Sequence, residues 1–416
     1  MEQMEQVERN NQRNGYWSGL LSGLLLAILL FGCIFIGKQV YQIFDAKKIA
    51  EEARAEDAEL LNDYTAAKID ILEDTIRQYY LEEADRSKME DGIYYGLVNS
   101  LEDPYSVYYS EEELQELQMS SEGIYYGIGA YISKVATDDY CVISGTIENT
   151  PAEEAGLRAD DIIYMVDGVD VGGMDISEVV ALIKGEEGTQ VVLTLVREGE
   201  EDYLEIPVER RKIESPTVSS EMLENQIGYI EITEFDDVTE DQFAEALAEC
   251  RGNGMKALIL DLRSNPGGNL STVCEISRML LPEGMIVYTE DKYGEREEYT
   301  CDGVRKLEVP AVVLVNGYSA SASEILAGAL KDHGMATIMG TTTFGKGIVQ
   351  RVISLSDGSA VKLTVSKYYT PNGNDIHEKG IEPDVVVEFD ADAYYDEGVD
   401  NQLQEAISYL SAETEE

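Results

Sequence analysis

Three short segments gather residues able to do chemistry. In PAVVLVNGYSASASEILAGALKDHG, residues 310–334, an apolar run enters a turn of small residues and then a helical pattern, which sets Ser319, Ser321 and Ser323 near a helix amino terminus. Small neighbours let a second backbone approach a hydroxyl closely, and unsatisfied amides at a helix start favour a developing negative oxygen, so a nucleophilic serine would be well served here. The same residues meet a plainer requirement, because Ser321 and Glu324 fit the S-x-x-E capping box, which involves no reaction. In TTTFGKGIVQRV, residues 341–352, Lys346 lies between two glycines and beside Phe344, ahead of a strand pattern. An amine desolvated in that setting holds its proton less tightly and can accept one from a serine, whereas the ordinary fate of a loop lysine is exposure. Strand alternation would put Lys346, Ile348 and Gln350 on one face, where the Gln350 amide could orient the amine. In KALILDLRSNPGGNLS, residues 256–271, a strand enters a Pro-Gly-Gly turn. Gly267 and Gly268 leave amides unshielded there, as an oxyanion hole requires, although a plain turn looks the same.

The elements that must hold these segments follow an α/β pattern. From about residue 225, strands such as GYIEI, KALILDL, PAVVLVN and ATIMG alternate with helical stretches such as TEDQFAEALAEC, NLSTVCEISRML and SEILAGAL, the mark of an α/β layer domain. A last strand, PDVVVEF, precedes an acidic loop and a short helix at about 400–411. Between about 121 and 209, short alternating strands such as YGIGAYIS, DYCVISGTI and TQVVLTLVRE predict a separate, mostly β domain. Residues 45 to about 118 carry Leu60, Leu61, Tyr64, Ile69, Leu72, Ile76 and Tyr79 near helical spacing. They predict a helical connector that packs on the body, with a loop at DPYSVYYS, residues 103–110. WSGLLSGLLLAILLFGCIFIG, residues 17–37, is a stretch of 21 residues without charge, long enough to cross a membrane and longer than the apolar part of a signal peptide. Arg9 and Arg13 precede it and Lys38, Lys47 and Lys48 follow it, so flanking charge alone does not orient the span.

Composition narrows the functions. A chain of 416 residues is long enough for two or three domains. Its 31 basic and 82 acidic side chains leave a formal charge of −51, which argues against nucleic acid as a partner because phosphate affinity needs clustered Lys and Arg. The five cysteines, at 33, 141, 250, 274 and 301, show neither a disulfide framework nor zinc spacing. With only His333 and His377 in the chain, a histidine-rich metal site is not expected, and both histidines read as structural.

In the β block, the Gly127-Ile128-Gly129 turn of EGIYYGIGAYI could present several amides to one anion. Together with TPAEEAGLRADDIIYMVDGVDV, residues 150–171, it resembles a PDZ domain. That resemblance implies that Tyr126, Gly127, Ile128 and Gly129 receive the carboxyl terminus of a protein or peptide, which adds as a strand to the sheet edge. DPYS, the PDZ block, DLRSNPGG, SASASE, TFGKG with the later glutamine, and GIEPDVVVE then occur in the order of the carboxyl-terminal processing peptidases, and the whole chain resembles that family of serine peptidases. The resemblance implies Ser321 as nucleophile, Lys346 as general base 25 positions later, Gln350 in support of the lysine, and an oxyanion hole from the Ala322 amide and that of Gly267 or Gly268. It implies no metal or cofactor.

The expected fold is therefore an α/β peptidase core with an inserted mostly β PDZ domain, an N-terminal transmembrane helix and a helical connector. The expected boundaries are a cytoplasmic tail at 1–16, the span at 17–37, the connector and start of the peptidase region at 38–120, the PDZ domain at 121–209, the core at 210–390 and an acidic loop and helix at 391–416. The expected function is a single-pass, membrane-anchored serine endopeptidase, its catalytic part outside the cytoplasm, that takes protein substrates by their carboxyl ends, with dimerisation through helical ends as a further implication. A PDZ adaptor with an inert α/β domain is the alternative. An acyl-thioester enzyme of the crotonase type leaves both the PDZ block and TFGKG unexplained.

Overall fold

The structure, a computed structural model, describes residues 59–134 and 139–415, and the expected tail and membrane span at 1–37 lie outside them. Among the described residues no helix is long and apolar enough to cross a membrane. The chain divides into two units, 1–93 and 94–416.

In the first unit, α1 (Asp63–Tyr79) begins where the Asn62 side chain accepts the Thr65 amide, satisfying one of the free donors of the first turn. The expected helix forms, but α1 buries none of its residues, and Ile71, Leu72 and Tyr79 stay exposed. Helix α2 (Arg86–Asn99) follows.

The second unit begins at Tyr94, within α2, and its first strand is β1 (Val107–Tyr109), where a loop was expected over 103–110. Its alternation buries Tyr108, and the strand finds a partner only far along the chain, so local turn residues gave no sign of it. Helix α3 (Glu111–Glu122) starts at a reciprocal box between Ser110 and Glu113 and stops at Gly123, whose φ of 70° suits glycine. Strands β2 (Ile124–Gly127), β3 (Ala130–Ser133) and β4 (Cys141–Thr146) come next, followed by a short α4 (Pro151–Glu154). Then come β5 (Ile162–Val166), β6 (Val169–Asp170), α5 (Ile176–Ile183), β7 (Gln190–Val196) and β8 (Leu204–Glu209). Strands β3, β4, β5, β7 and β8 form one antiparallel sheet around a core that includes Ile143, Ile163, Val179, Leu193 and Leu195. Strand β9 (Arg211–Glu214) pairs with β2, so the way into this small domain and the way out of it lie side by side. Between β8 and β9, buried Arg210 donates to the Leu182 and Ile183 carbonyls, supplying a cation to the carboxyl end of α5.

The remaining elements build the α/β layers: β10 (Val218–Met222), β11 (Ile227–Ile232), α6 (Thr239–Gly252), β12 (Ala257–Asp261) and α7 (Leu270–Arg278). After β13 (Glu283–Asp291) and β14 (Arg296–Asp302) come β15 (Ala311–Val315), α8 (Ala322–Asp332) and β16 (Thr337–Gly340). The chain ends with β17 (Ile348–Ser354), β18 (Ala360–Tyr369), β19 (Val385–Val386), α9 (Ala391–Glu397) and α10 (Asn401–Glu415). One sheet runs β10-β11-β12-β15-β16-β19, parallel except at β10. Every residue of β12 and β15 is buried, as a parallel sheet covered on both faces demands. Helices α6, α7 and α8 supply one cover and α10, through Ala406 and Leu410, the other. A second, antiparallel sheet joins β1, β18, β13 and β14, with β17 also on β18.

Candidate active site

The chemistry-bearing turns all follow the carboxyl ends of parallel strands, where an α/β sheet leaves a crevice. Strand β12 runs into Arg263–Gly268, β15 into Asn316–Ser321, and β16 into Thr341–Lys346. The first two turns are laced together. The Ala320 amide donates to the Asn265 carbonyl, and the Ser264 amide to Asn316 Oδ1 at 2.9 Å. Asn265, fully buried, spends its side-chain amide on Ile232 O and its Oδ1 on the Gly267 amide.

The three serines now separate. Ser319 Oγ donates to Leu262 O at 2.8 Å and Ser323 Oγ to Asn265 O at 3.0 Å, and both side chains are fully buried. Ser321 is half-buried at the cap of α8, and its backbone sits at φ 56° and ψ −113°, a strained conformation for a residue with a side chain. Its hydroxyl lies in the capping arrangement towards the N3 amide, yet no hydrogen bond of ordinary geometry engages it among the described residues. The other half of the box does form, with the Ser321 amide donating to Glu324 at 2.9 Å.

Glu324 does more than cap. Its fully buried carboxylate also accepts from Thr343 Oγ1 at 2.6 Å, the Gly345 amide at 2.7 Å and the Lys346 amide at 2.8 Å. One anion thus fastens the serine turn to the lysine turn, and four donors offset the cost of burying it. Tyr368, from β18, makes a second clasp, its buried hydroxyl donating to the Ser321 carbonyl at 3.1 Å and closely to that of Lys346. Burial, then Glu324, raises the Tyr368 phenol well above its ordinary range, so it stays a donor. Glu324 carried a visible signal, its position three residues after Ser321. Tyr368 carried none, since only the pairing of β18 brings it here.

Lys346 Nζ sits 4.8 Å from the centre of the Tyr105 ring. Burial lowers its pKa first, Lys362 lowers it further, and Glu324 opposes both. No hydrogen bond links Nζ to Ser321 Oγ in this arrangement. Gln350 does not reach the lysine either: its Nε2 donates to Thr364 Oγ1 at 3.4 Å. The expected common face fails because β17 begins at Ile348 and a register shift at Val349/Gln350 interrupts the alternation.

Gly267 and Gly268 lie beside the serine in different ways. A Cβ at Gly267 would come within 2.7 Å of Ser321 Cβ and 2.9 Å of the Ala322 nitrogen, so glycine is required for the two turns to touch. The Gly267 amide is committed to Asn265, whereas the Gly268 and Ala322 amides have no acceptor among the described residues. His333 bonds Met285 O through Nε2, a structural contact, and the His377 backbone packs against Gly347.

In the small domain, Gly127, Ile128 and Gly129 line a groove of about 210 Å³ closed by Val180, Ile183 and Lys184. Gly129, at φ 80°, packs against Thr150. Tyr126 faces a larger neighbouring cavity, and it is Tyr125 that lines both.

An α/β core whose serine and lysine turns share one buried carboxylate, with a groove-bearing β domain inserted before it, fits the class of PDZ-containing serine peptidases. Comparison with known proteins agrees. Residues 226–387 match Peptidase family S41, residues 142–197 a PDZ domain, and residues 28–113 the Activating protease CtpB N-terminal domain. The chain is 39% identical over 333 residues to the carboxy-terminal processing protease CtpA of Bacillus subtilis, covering 78% of this chain and 71% of that one. It is 34% identical over 365 residues to CtpB of the same organism, at 86% and 75% coverage. With the carboxyl-terminal-processing protease of Synechocystis the identity is 38% over 296 residues, at 70% and 69% coverage. The chain belongs to the carboxyl-terminal processing proteases of peptidase family S41 and is a serine-type endopeptidase.

Proposed function

We propose that Ser321 is the nucleophile and Lys346 its general base, in a peptidase anchored by residues 17–37 with its catalytic part outside the cytoplasm. The observation that carries the dyad is the Glu324 carboxylate, which accepts the amides of Ser321 and Lys346 together and so pairs two turns 25 positions apart. In this reading the described arrangement is a resting one. The Lys346 side chain leaves the Tyr105 ring, turns to Ser321 and takes its proton as Oγ attacks the substrate carbonyl. The oxyanion meets the Ala322 and Gly268 amides, Lys346 returns the proton to the leaving amine, and water then releases the acyl group.

The groove at Gly127–Gly129 receives the substrate's carboxyl end, and its occupation favours the competent position of Lys346. The exposed apolar residues of α1, Ile71 and Leu72 among them, suit pairing with a second copy of the chain. The test of the dyad is turnover of casein by the purified chain against its Ser321→Ala and Lys346→Ala forms. Loss of turnover in both, with unchanged melting, is expected, and cleavage by folded Lys346→Ala would refute the base. Protease accessibility of the two flanks of the span in sealed vesicles tests the orientation.

A further inference from the structure

A cavity of about 1080 Å³ opens between the small domain and the core. One wall is formed by Tyr125, Tyr126, Val180 and Lys184, and the other by Thr233, Glu234 and Asp236, with Glu116 of α3 at the side. Four carboxylates line it, those of Glu116, Glu186, Glu234 and Asp236, against the single amine of Lys184. None of the four is in an ion pair among the described residues, and Lys184 lies over the Tyr125 ring at 5.2 Å instead.

Asp236 is the telling member. It is 6% exposed, and its carboxylate lines the cavity, where it accepts no hydrogen bond and meets no cation among the described residues. Gly123 makes room for it, since a Cβ there would lie 2.8 Å from Asp236 Cβ. Burial first, then Glu234 and Asp237, push its pKa up to about 7. A carboxyl so thinly hydrated and flanked by other acids is costly to ionise, and a cation entering the cavity would favour its charged form and pair with its oxygens. Among the described residues no group of three or more His, Cys, Asp or Glu is placed to hold a metal ion, so a basic side chain fits the chemistry better.

The position of the cavity says where such a side chain would come from. It shares Tyr125, Val180 and Lys184 with the groove at Gly127–Gly129. At its far wall, Glu234 and Asp236 flank Phe235, whose backbone is bonded to the Gly267 carbonyl and the Asn269 amide beside Ser321. In the peptidase reading, a polypeptide held by its carboxyl end in the groove and cut at Ser321 would run along this wall. We propose that the cavity is a specificity subsite that holds a lysine or arginine side chain of the substrate between Asp236 and Glu234. The inference rests on the reading of the chain as a peptidase fed through its PDZ groove.

Peptides of one length and carboxyl terminus, with a single lysine or its neutral isostere norleucine moved along the sequence, test it with the full chain. At one or two positions the lysine peptide should have kcat/KM roughly tenfold higher, the size of one charge-assisted contact. Asp236→Asn combined with Glu234→Gln should bring that ratio close to one. Equal rates for each peptide pair with the wild-type chain, or a preference untouched by the substitutions, would overturn the subsite. Affinities of the fluorescein-labelled pairs for the Ser321→Ala chain read the same ratio without turnover. An absence of cleavage in the wild-type chain would therefore count against the peptidase reading, while the binding ratio still decides the cavity.

Discussion

Ser321 and Lys346 are held by their backbones before their side chains meet, and that arrangement governs what substitutions there will do. Removing the hydroxyl or the amine leaves the Glu324 and Tyr368 clasps intact. Ser321→Ala and Lys346→Ala should therefore lower kcat/KM by about a thousandfold or more while shifting unfolding free energy by less than about 1 kcal/mol. Glu324→Ala should do the reverse in emphasis. It strands four donors and should destabilise the chain by roughly 3–5 kcal/mol in urea unfolding, with activity lost as a consequence. A wild-type midpoint for Glu324→Ala would show that the carboxylate does not join the turns. The pH profile tests the lysine directly. A base works when neutral, so kcat/KM should rise with pH as Lys346 loses its proton, with a midpoint below the ordinary lysine value of 10.5. Because Lys362 is one of the two causes that lower it, Lys362→Met should move that midpoint upward, and an unmoved midpoint would assign the limb to another group.

At the scale of elements, the end of β12 is tied to the last helix by one guanidinium. Arg263 donates to Asp261, to both oxygens of Asp400 and to Gln402, while Tyr229 donates to Asp261 at 2.9 Å. Burial works against charge at Asp400, but Arg263 and local amides hold its carboxyl below the usual range. Arg263→Ala leaves the buried Asp261 and the partly buried Asp400 without their cation and should cost roughly 3–5 kcal/mol, and combining it with Asp400→Asn should cost less than the sum. Additive losses in that cycle would mean that α10 is not held through this pair. The strands and helices themselves were legible, since β12, β15 and α6 to α8 follow apolar runs and periodicities readable over a dozen residues. The partner of β1, the bulge that turns Gln350 to Thr364 and the reach of Arg263 to Asp400 were not, because each depends on residues brought together from more than ten positions away.

Across the whole molecule, the small β domain and the core enclose the acidic cavity, and its most buried acid should leave a mark on stability. An acid whose pKa is about 7 when folded, against an ordinary 3.8, binds its proton more tightly in the native state. Stability from Asp236 is therefore fullest below about pH 4, declines as pH rises to about 7, and is constant above. Asp236→Asn removes that decline, so the variant should gain more in melting temperature over the wild type at pH 8 than at pH 5. An equal gain at both would place the titration elsewhere. Deleting 122–208 and assaying an unstructured peptide tests whether the small domain governs access to Ser321, with an unchanged rate counting against it.

From the sequence alone came the order of the domains, the sheet-to-helix turns and the three segments that could react, because those depend on local pattern and on spacing along the chain. Tertiary structure decided that Ser319 and Ser323 spend their hydroxyls on backbone carbonyls while Ser321 does not, that Gly267 spends its amide on Asn265 while Gly268 does not, and that Glu324 and Tyr368 bind the serine turn to the lysine turn. The physical reason is that hydrogen-bond partners and desolvation belong to the packed arrangement of distant segments, and a linear pattern records which groups are available without recording which of them have already been satisfied.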